Sequence, residues 1–284
     1  RLLKETAQEA EAMTILGTAE QIGATKAIDK AEAVLDRAHV SETGNELERR
    51  VNELAEALFQ SIGMQLSVTK YQAIGVGRGA NLDELNVPLN NRAWLSDRFA
   101  ALRKSSNDDD ALVGIHEILH WADPGPGGFY DDLGNPVLQP HLVRAGPYAK
   151  DPGFLNTPFT GFSWEPAWRR SWCTHVDGRY QTPVTLHYAD LDPRAHYKLR
   201  VVYAGDNSEV KVRLVAASAA AQSAHREIEI HPFQLKPQPI APIEFEIPAD
   251  ATSGGELTLT WQSDPQRGGP GRGCQIAEAW LIKH

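Results

Sequence analysis

No run of this chain approaches the roughly 20 consecutive apolar residues that a membrane-crossing helix needs, so no bilayer span is expected. Basic residues are the minority. The sequence has 28 Lys and Arg against 37 Asp and Glu, a formal net charge of −9. Nucleic-acid binding requires a basic surface that displaces counterions, and this balance argues against it. Cysteine is scarce, with two in 284 residues, which excludes a disulfide framework as the source of the fold. No signal-peptide pattern, internal repeat or low-complexity tract is present. What remains is ordinary for a globular protein, with 42% hydrophobic and 23% charged residues. That length accommodates one large or two ordinary domains with a real core.

The two halves of the sequence differ. Residues 2–22 and 26–39 are rich in Ala, Glu, Lys and Leu, with Gly23 as the break between two helices. Asn45 opens a third helical pattern, in which Leu47, Val51, Leu54, Leu58 and Ile62 form one apolar face before Gly63. Helices are also expected over 94–104 and 109–121, the second with Asp108–Asp110 at its N-terminus, where acidic groups suit the helix dipole. The chain opens inside a helical pattern without an initiator Met. It is read as a fragment of a longer protein. Gly75–Ala80 (GVGRGA) has closely spaced glycines but no strand before or helix after it, so it fails the context of a phosphate loop.

From 124 to 172 Pro, Gly and aromatic residues dominate without periodicity. The segment reads as a long irregular wrap. Beyond it, strand signals recur at 183–188, 197–204, 209–216, 225–231, 243–247, 256–262 and 274–283, with clear alternation in Leu199, Val201, Tyr203 and in Leu257, Leu259, Trp261. The expected division is a helical region over 1–123, the wrapping segment over 124–172 and a β-sandwich over 173–284. The expected fold class is α+β, a helical segment followed by an antiparallel β-sandwich.

Three groups of residues carry candidate chemistry. His116-Glu117-Ile118-Leu119-His120 matches the H-E-x-x-H pattern in which two His share a helix face, hold zinc and use the Glu as base. The third ligand is missing, since Asp123 and Pro126 occupy the positions where a Gly and a further His would follow. Asp131, Asp132, His141 and Glu165 are the nearest substitutes. The main reading is therefore no catalytic residue and no metal. A zinc hydrolase with ligands His116 and His120 and base Glu117 is the alternative. Asp131 and Asp132 could ligate calcium, although adjacent residues of an extended chain point oppositely and turn capping is the simpler role.

The second group is the best binding signal. Trp164, Trp168 and Trp172 lie with Arg169 and Tyr180, a mixture of ring faces and polar groups suited to sugar. Asp206, Arg267 and Arg272 lie in turn clusters at the sandwich end, where a ligand could approach, and join them as carbohydrate-binding candidates. Core packing is the competing role for the tryptophans, and Trp261 and Trp280 are assigned to the core.

The frame beginning at Val184, with Tyr-x-Leu-Arg-Val-Val-Tyr at 197–203 and Ala-Glu-Ala-Trp-Leu-Ile at 277–282, resembles the galactose-binding-like jelly rolls of bacterial carbohydrate-active proteins. Pro-Leu-Asn-Asn-Arg at 88–92 and Gly-Pro-Gly-Gly-Phe-Tyr-Asp-Asp-Leu-Gly-Asn-Pro at 125–136 are similar to C-terminal parts of large secreted polysaccharide-processing proteins. That resemblance implies a non-catalytic accessory part, extracellular or periplasmic, that binds carbohydrate or braces an upstream catalytic domain of the same chain, a glycoside hydrolase or lyase. A purely structural assembly module is the further alternative. In jelly rolls the first and last strands often pair, so Cys173 and Cys274, each heading one of them, are expected to be close in space.

Overall fold

The computed structural model describes residues 2–37, 49–50, 52–54, 56–58, 60–61, 90–144, 156–163, 165, 167–179, 182–205, 207–217, 227–264 and 273–284. They divide into two compact units, Arg1–Trp121 with Pro166–Arg170, and Ala122–Glu165 with Ser171–His284.

The first unit is helical, with α1 (Leu2–Leu16), α2 (Ala19–Ile22), α3 (Ala24–Asp36), α4 (Arg92–Leu102) and α5 (Asp108–Leu119). Small residues let the helices approach closely. Ala24, Ala27, Ile28, Ala31, Val34 and Leu35 make one buried face of α3, which packs with Leu95, Phe99 and Ile115 in the unit's core. The start of α5 is capped by Asn107, whose side chain accepts from the Asp110 amide at 2.8 Å. Glu9 receives the Asn91 amide at 3.1 Å, and the Asn91 side chain then accepts from the Arg170 amide at 2.8 Å. That second bond ties Arg170 to the helical unit. The predicted face from Leu47 to Ile62 lies largely outside the described residues, and those described between 49 and 61 are helical.

The second unit is an antiparallel β-sandwich. Its strands are β1 (Phe129–Asp132), β2 (Phe159–Phe162), β3 (Thr174–Asp177), β4 (Val184–Tyr188), β5 (Tyr197–Tyr203), β6 (Val212–Ala217), β7 (Ile228–Gln234), β8 (Ile243–Ile247), β9 (Leu257–Ser263) and β10 (Ile276–Lys283). One sheet runs β2-β3-β10-β5-β8, with β1 also on β10, and the other runs β4-β9-β6-β7. From β3 onward the pairs nest, β3 with β10, β4 with β9, β5 with β8 and β6 with β7. A long hairpin rolled so that β10 joins β5 and β9 joins β6 is the connectivity of a jelly roll. The expected fold class is present. Leu186, Leu199, Val201, Leu214, Leu257, Leu259, Trp261, Ile276 and Leu281 fill the space between the sheets.

Two sequence expectations need correction. The segment 124–172 is not only a wrap, because β1 pairs along β10 and β2 along β3. Both strands escape alternation rules, since β1 carries Asp131 and Asp132 and β2 carries Gly161 opposite the buried His175. The cysteines are the other correction. Strands β3 and β10 do pair, but they run antiparallel with Val176 opposite Ile276. Residues heading each strand therefore sit at opposite ends of the ladder, roughly 17 Å apart at about 3.4 Å per residue. Both thiols are free and buried, and burial pushes that of Cys274 up to about 12.

Tyr203, His231 and Trp261 form a polar relay inside the sandwich. The Trp261 indole N–H donates to the Tyr203 hydroxyl at 2.8 Å, and that hydroxyl donates to His231 Nε2 at 2.8 Å. His231 Nδ1 donates to the Pro232 carbonyl at 2.9 Å, and its ring stacks on Phe245. This arrangement fits a neutral imidazole, and burial lowers the His231 pKa from its ordinary 6.5, against weaker opposing pulls from the Pro232 carbonyl and then Glu229. A lowered folded value means that the unfolded chain binds the proton more readily. Stability is therefore full above about pH 6.5 and falls as the solution is acidified through that value. The urea midpoint should drop between pH 7.5 and 5.5, and His231→Gln should flatten that drop. An unchanged slope in the variant would assign the acid sensitivity elsewhere.

Candidate functional site

Strand ends gather at one end of the sandwich, where β3 and β7 finish, β5 leads into Ala204 and Gly205, and β10 begins. Buried side chains hold them. Asp177 accepts from the Gly273 amide at 2.9 Å and from Gln275 Nε2 at 3.3 Å. Gln275 Oε1 accepts from the Asn207 amide at 2.9 Å and from Lys236 Nζ at 2.7 Å, and the same ammonium reaches the Ala204 carbonyl at 3.2 Å. Asp177, Lys236 and Gln275 are all buried. A cation and a carboxylate bridged by one amide offset each other's desolvation, and each of these bonds ends on backbone or on another member. Gly205, at φ +90°, completes the fit, since a Cβ there would stand 2.3 Å from the Gln275 side chain.

That network fixes the bases of the two turns expected to carry Asp206, Arg267 and Arg272. Those three residues, with Trp164 and Tyr180, lie outside the described residues. The remaining candidates separate. Trp168 and Arg169 belong to the helical unit, where Trp168 is half-buried. The Arg169 guanidinium lies 5.3 Å from the Trp94 ring and 5.0 Å from the Trp121 ring, and Arg98 approaches both at 5.5 and 5.9 Å. The two indoles meet edge to face at 5.2 Å, so this is a cation–π cluster within the helices. Trp172 belongs to the sandwich and is 5% exposed, with its indole N–H on Glu278 Oε2 at 2.8 Å. Glu278, fully buried, also accepts from the Tyr130 hydroxyl at 2.6 Å. Trp172 therefore packs and offers no open ring face. Trp261 and Trp280 are core residues, as expected.

The H-E-x-x-H segment is helical up to Leu119, with His120 as the C-cap. His116 and His120 stack with ring centroids 4.2 Å apart, and both are exposed, as is Glu117. Among the described residues no group of three or more His, Cys, Asp or Glu is placed to hold a metal ion.

One cluster was not anticipated. Asp131 and Asp132 do face opposite ways, and Asp131, on the inner side of β1, is fully buried. It accepts from the Tyr188 hydroxyl at 3.1 Å, from the His141 amide at 3.2 Å and from His141 Nδ1 at 2.9 Å. Burial first, and then the Asp131 charge, raises the Tyr188 pKa well above 10 and keeps the phenol a donor. The signal available in sequence was only a His following an Asp-rich turn.

No protein-family model matches the sequence, and no curated protein matches it. Solved structures give distant likenesses. An exo-β-1,3-galactanase from Phanerochaete chrysosporium is 10% identical over 55% of this chain and 30% of its own, with a TM-score of 0.30. A carbohydrate-binding module from Caldicellulosiruptor saccharolyticus, in complex with mannohexaose, is 7% identical over 56% of this chain and 96% of its own, with a TM-score of 0.28. A 4-O-methyl-α-glucuronidase with specificity for decorated arabinogalactans is 11% identical over 86% of this chain and 34% of its own, with a TM-score of 0.26. The chain thus spans about a third of each of the two enzymes.

Proposed function

We propose that this chain is an accessory part of a larger carbohydrate-active protein, and that its jelly roll binds sugar at the loop end through Asp206, Tyr180, Arg267 and Arg272. The observation carrying the reading is the buried Asp177–Gln275–Lys236 network, which spends costly polar groups on fixing the bases of those turns. Rigid bases under guanidinium- and carboxylate-bearing loops are a common way to present hydrogen-bonding groups to a ligand. The sequence resemblance to galactose-binding-like jelly rolls supports the same reading. Secretion and an upstream hydrolase or lyase partner belong to this proposal. Replacing Arg267 and Arg272 together by Ala is expected to weaken oligosaccharide binding about tenfold or more, from two lost charge-assisted bonds. Titration of both proteins with oligosaccharides of galactose, mannose, xylose and glucose checks it. Unchanged affinity in the double variant would move the site away from this end.

A second reading, in which the sandwich braces a neighbouring domain, is favoured by the burial of Trp172, Trp261 and Trp280. It leaves Trp164 and Trp168 as the candidate indoles to test. Trp168→Ala should weaken sugar binding if that ring stacks on ligand, and should leave binding unchanged if it only packs on the helices.

A further inference from the structure

We propose that His141 is a ligand-contact residue, its Nε2 accepting a hydrogen bond from a hydroxyl of a bound pyranose on the β4 edge of the sandwich. The inference rests on the carbohydrate reading and adds a contact point apart from the loop end. Asp131 takes three donors and has no exposure, so its oxygens are well placed to accept the Nδ1 proton and leave Nε2 with a lone pair. The imidazole is held in place as well as in tautomer. Phe129 meets it edge on at 5.0 Å, and Tyr188 lies over it at 4.5 Å. The backbone on either side is tied to β4, with the Val143 amide on the Thr185 carbonyl and the His187 amide on the His141 carbonyl, both at 2.9 Å.

Nε2 makes no hydrogen bond to any described residue, while the side chain keeps 19% of its surface exposed. The loop that carries it exposes Val137 at 85%, Leu138 at 48% and Val143 at 45%. An oriented acceptor on a loop that also exposes apolar side chains suits a ligand with a hydroxyl donor on a ring that also has a C–H face. A pyranose has both. A fixed acceptor binds better than a mobile one because its ordering cost is met on folding.

His141→Asn tests this without dismantling the cluster, because the Asn amide keeps a donor for Asp131 and removes the Nε2 position. Titrations of the full chain use galactose, mannose, xylose and glucose oligosaccharides, with the thermal midpoint followed alongside. The expected result is binding weakened about threefold to tenfold, the size of one hydrogen bond, at an unchanged midpoint. In the wild type, the His141 Nε2 resonance in a ¹⁵N long-range spectrum should shift as the oligosaccharide saturates. Wild-type affinity in His141→Asn, or an unmoved resonance, overturns the proposal. If the Arg267/Arg272 variant has meanwhile lost binding, the loop-end reading survives without it. No binding by the wild type overturns both.

Discussion

Trp261→Ala is expected to lower the free energy of unfolding by about 3–5 kcal/mol, the range for removing a large aromatic side chain from a packed core. Trp261 is fully buried on β9, between Val184 of β4 and Leu214 of β6 in the ladder. Its indole also donates to Tyr203, which donates onward to His231. The substitution therefore opens a cavity and removes a donor from a buried hydroxyl. Trp261→Phe should recover most of the packing and none of the hydrogen bond, leaving a deficit of about 1–3 kcal/mol. Urea denaturation of the three proteins separates the two contributions. A loss below about 1 kcal/mol for Trp261→Ala would mean that the sheets close over the gap.

Gln275→Leu should cost a comparable amount, about 3–5 kcal/mol, for an electrostatic reason. Leucine nearly matches glutamine in volume, so packing changes little. Lys236 loses its 2.7 Å acceptor, the Asn207 amide loses its partner, and Asp177 keeps the Gly273 amide without the Gln275 donor. A buried ammonium that loses so short an acceptor is poorly compensated. The same variant should loosen the bases of both turns. Amide exchange at Asn207 and Gly273 is expected to quicken ahead of global unfolding. Native exchange rates at those amides would show that the network does not govern the loops.

Strands with alternating apolar residues were legible. Leu257, Leu259 and Trp261 point inward from β9 as their spacing implies, and the pairing of first and last jelly-roll strands followed from the resemblance. Strands β1, β2 and β3 were not legible, because Asp131, His175 and Asp177 are buried by partners that no local pattern announces. A period-2 reading scores such residues as exposed. The cysteines show a related limit: which strands pair could be anticipated, but their direction reverses the ends. Long-range polar pairs were hidden altogether. Asp177 meets Gln275 across 98 positions, and Arg169 lies by Trp94 and Trp121 although its neighbours in sequence suggested a sugar-facing cluster. The H-E-x-x-H spacing correctly implied two imidazoles on one helix face, which the 4.2 Å stack shows.

The central claim is carbohydrate recognition by the sandwich, and titration of the full chain against the four oligosaccharide series tests it most directly. The account predicts saturable binding to at least one series, weakened about tenfold or more in the Arg267/Arg272 double variant, whose thermal midpoint stays at the wild-type value. Absence of binding across all four series, from protein that unfolds cooperatively, would contradict it and leave the jelly roll as a brace.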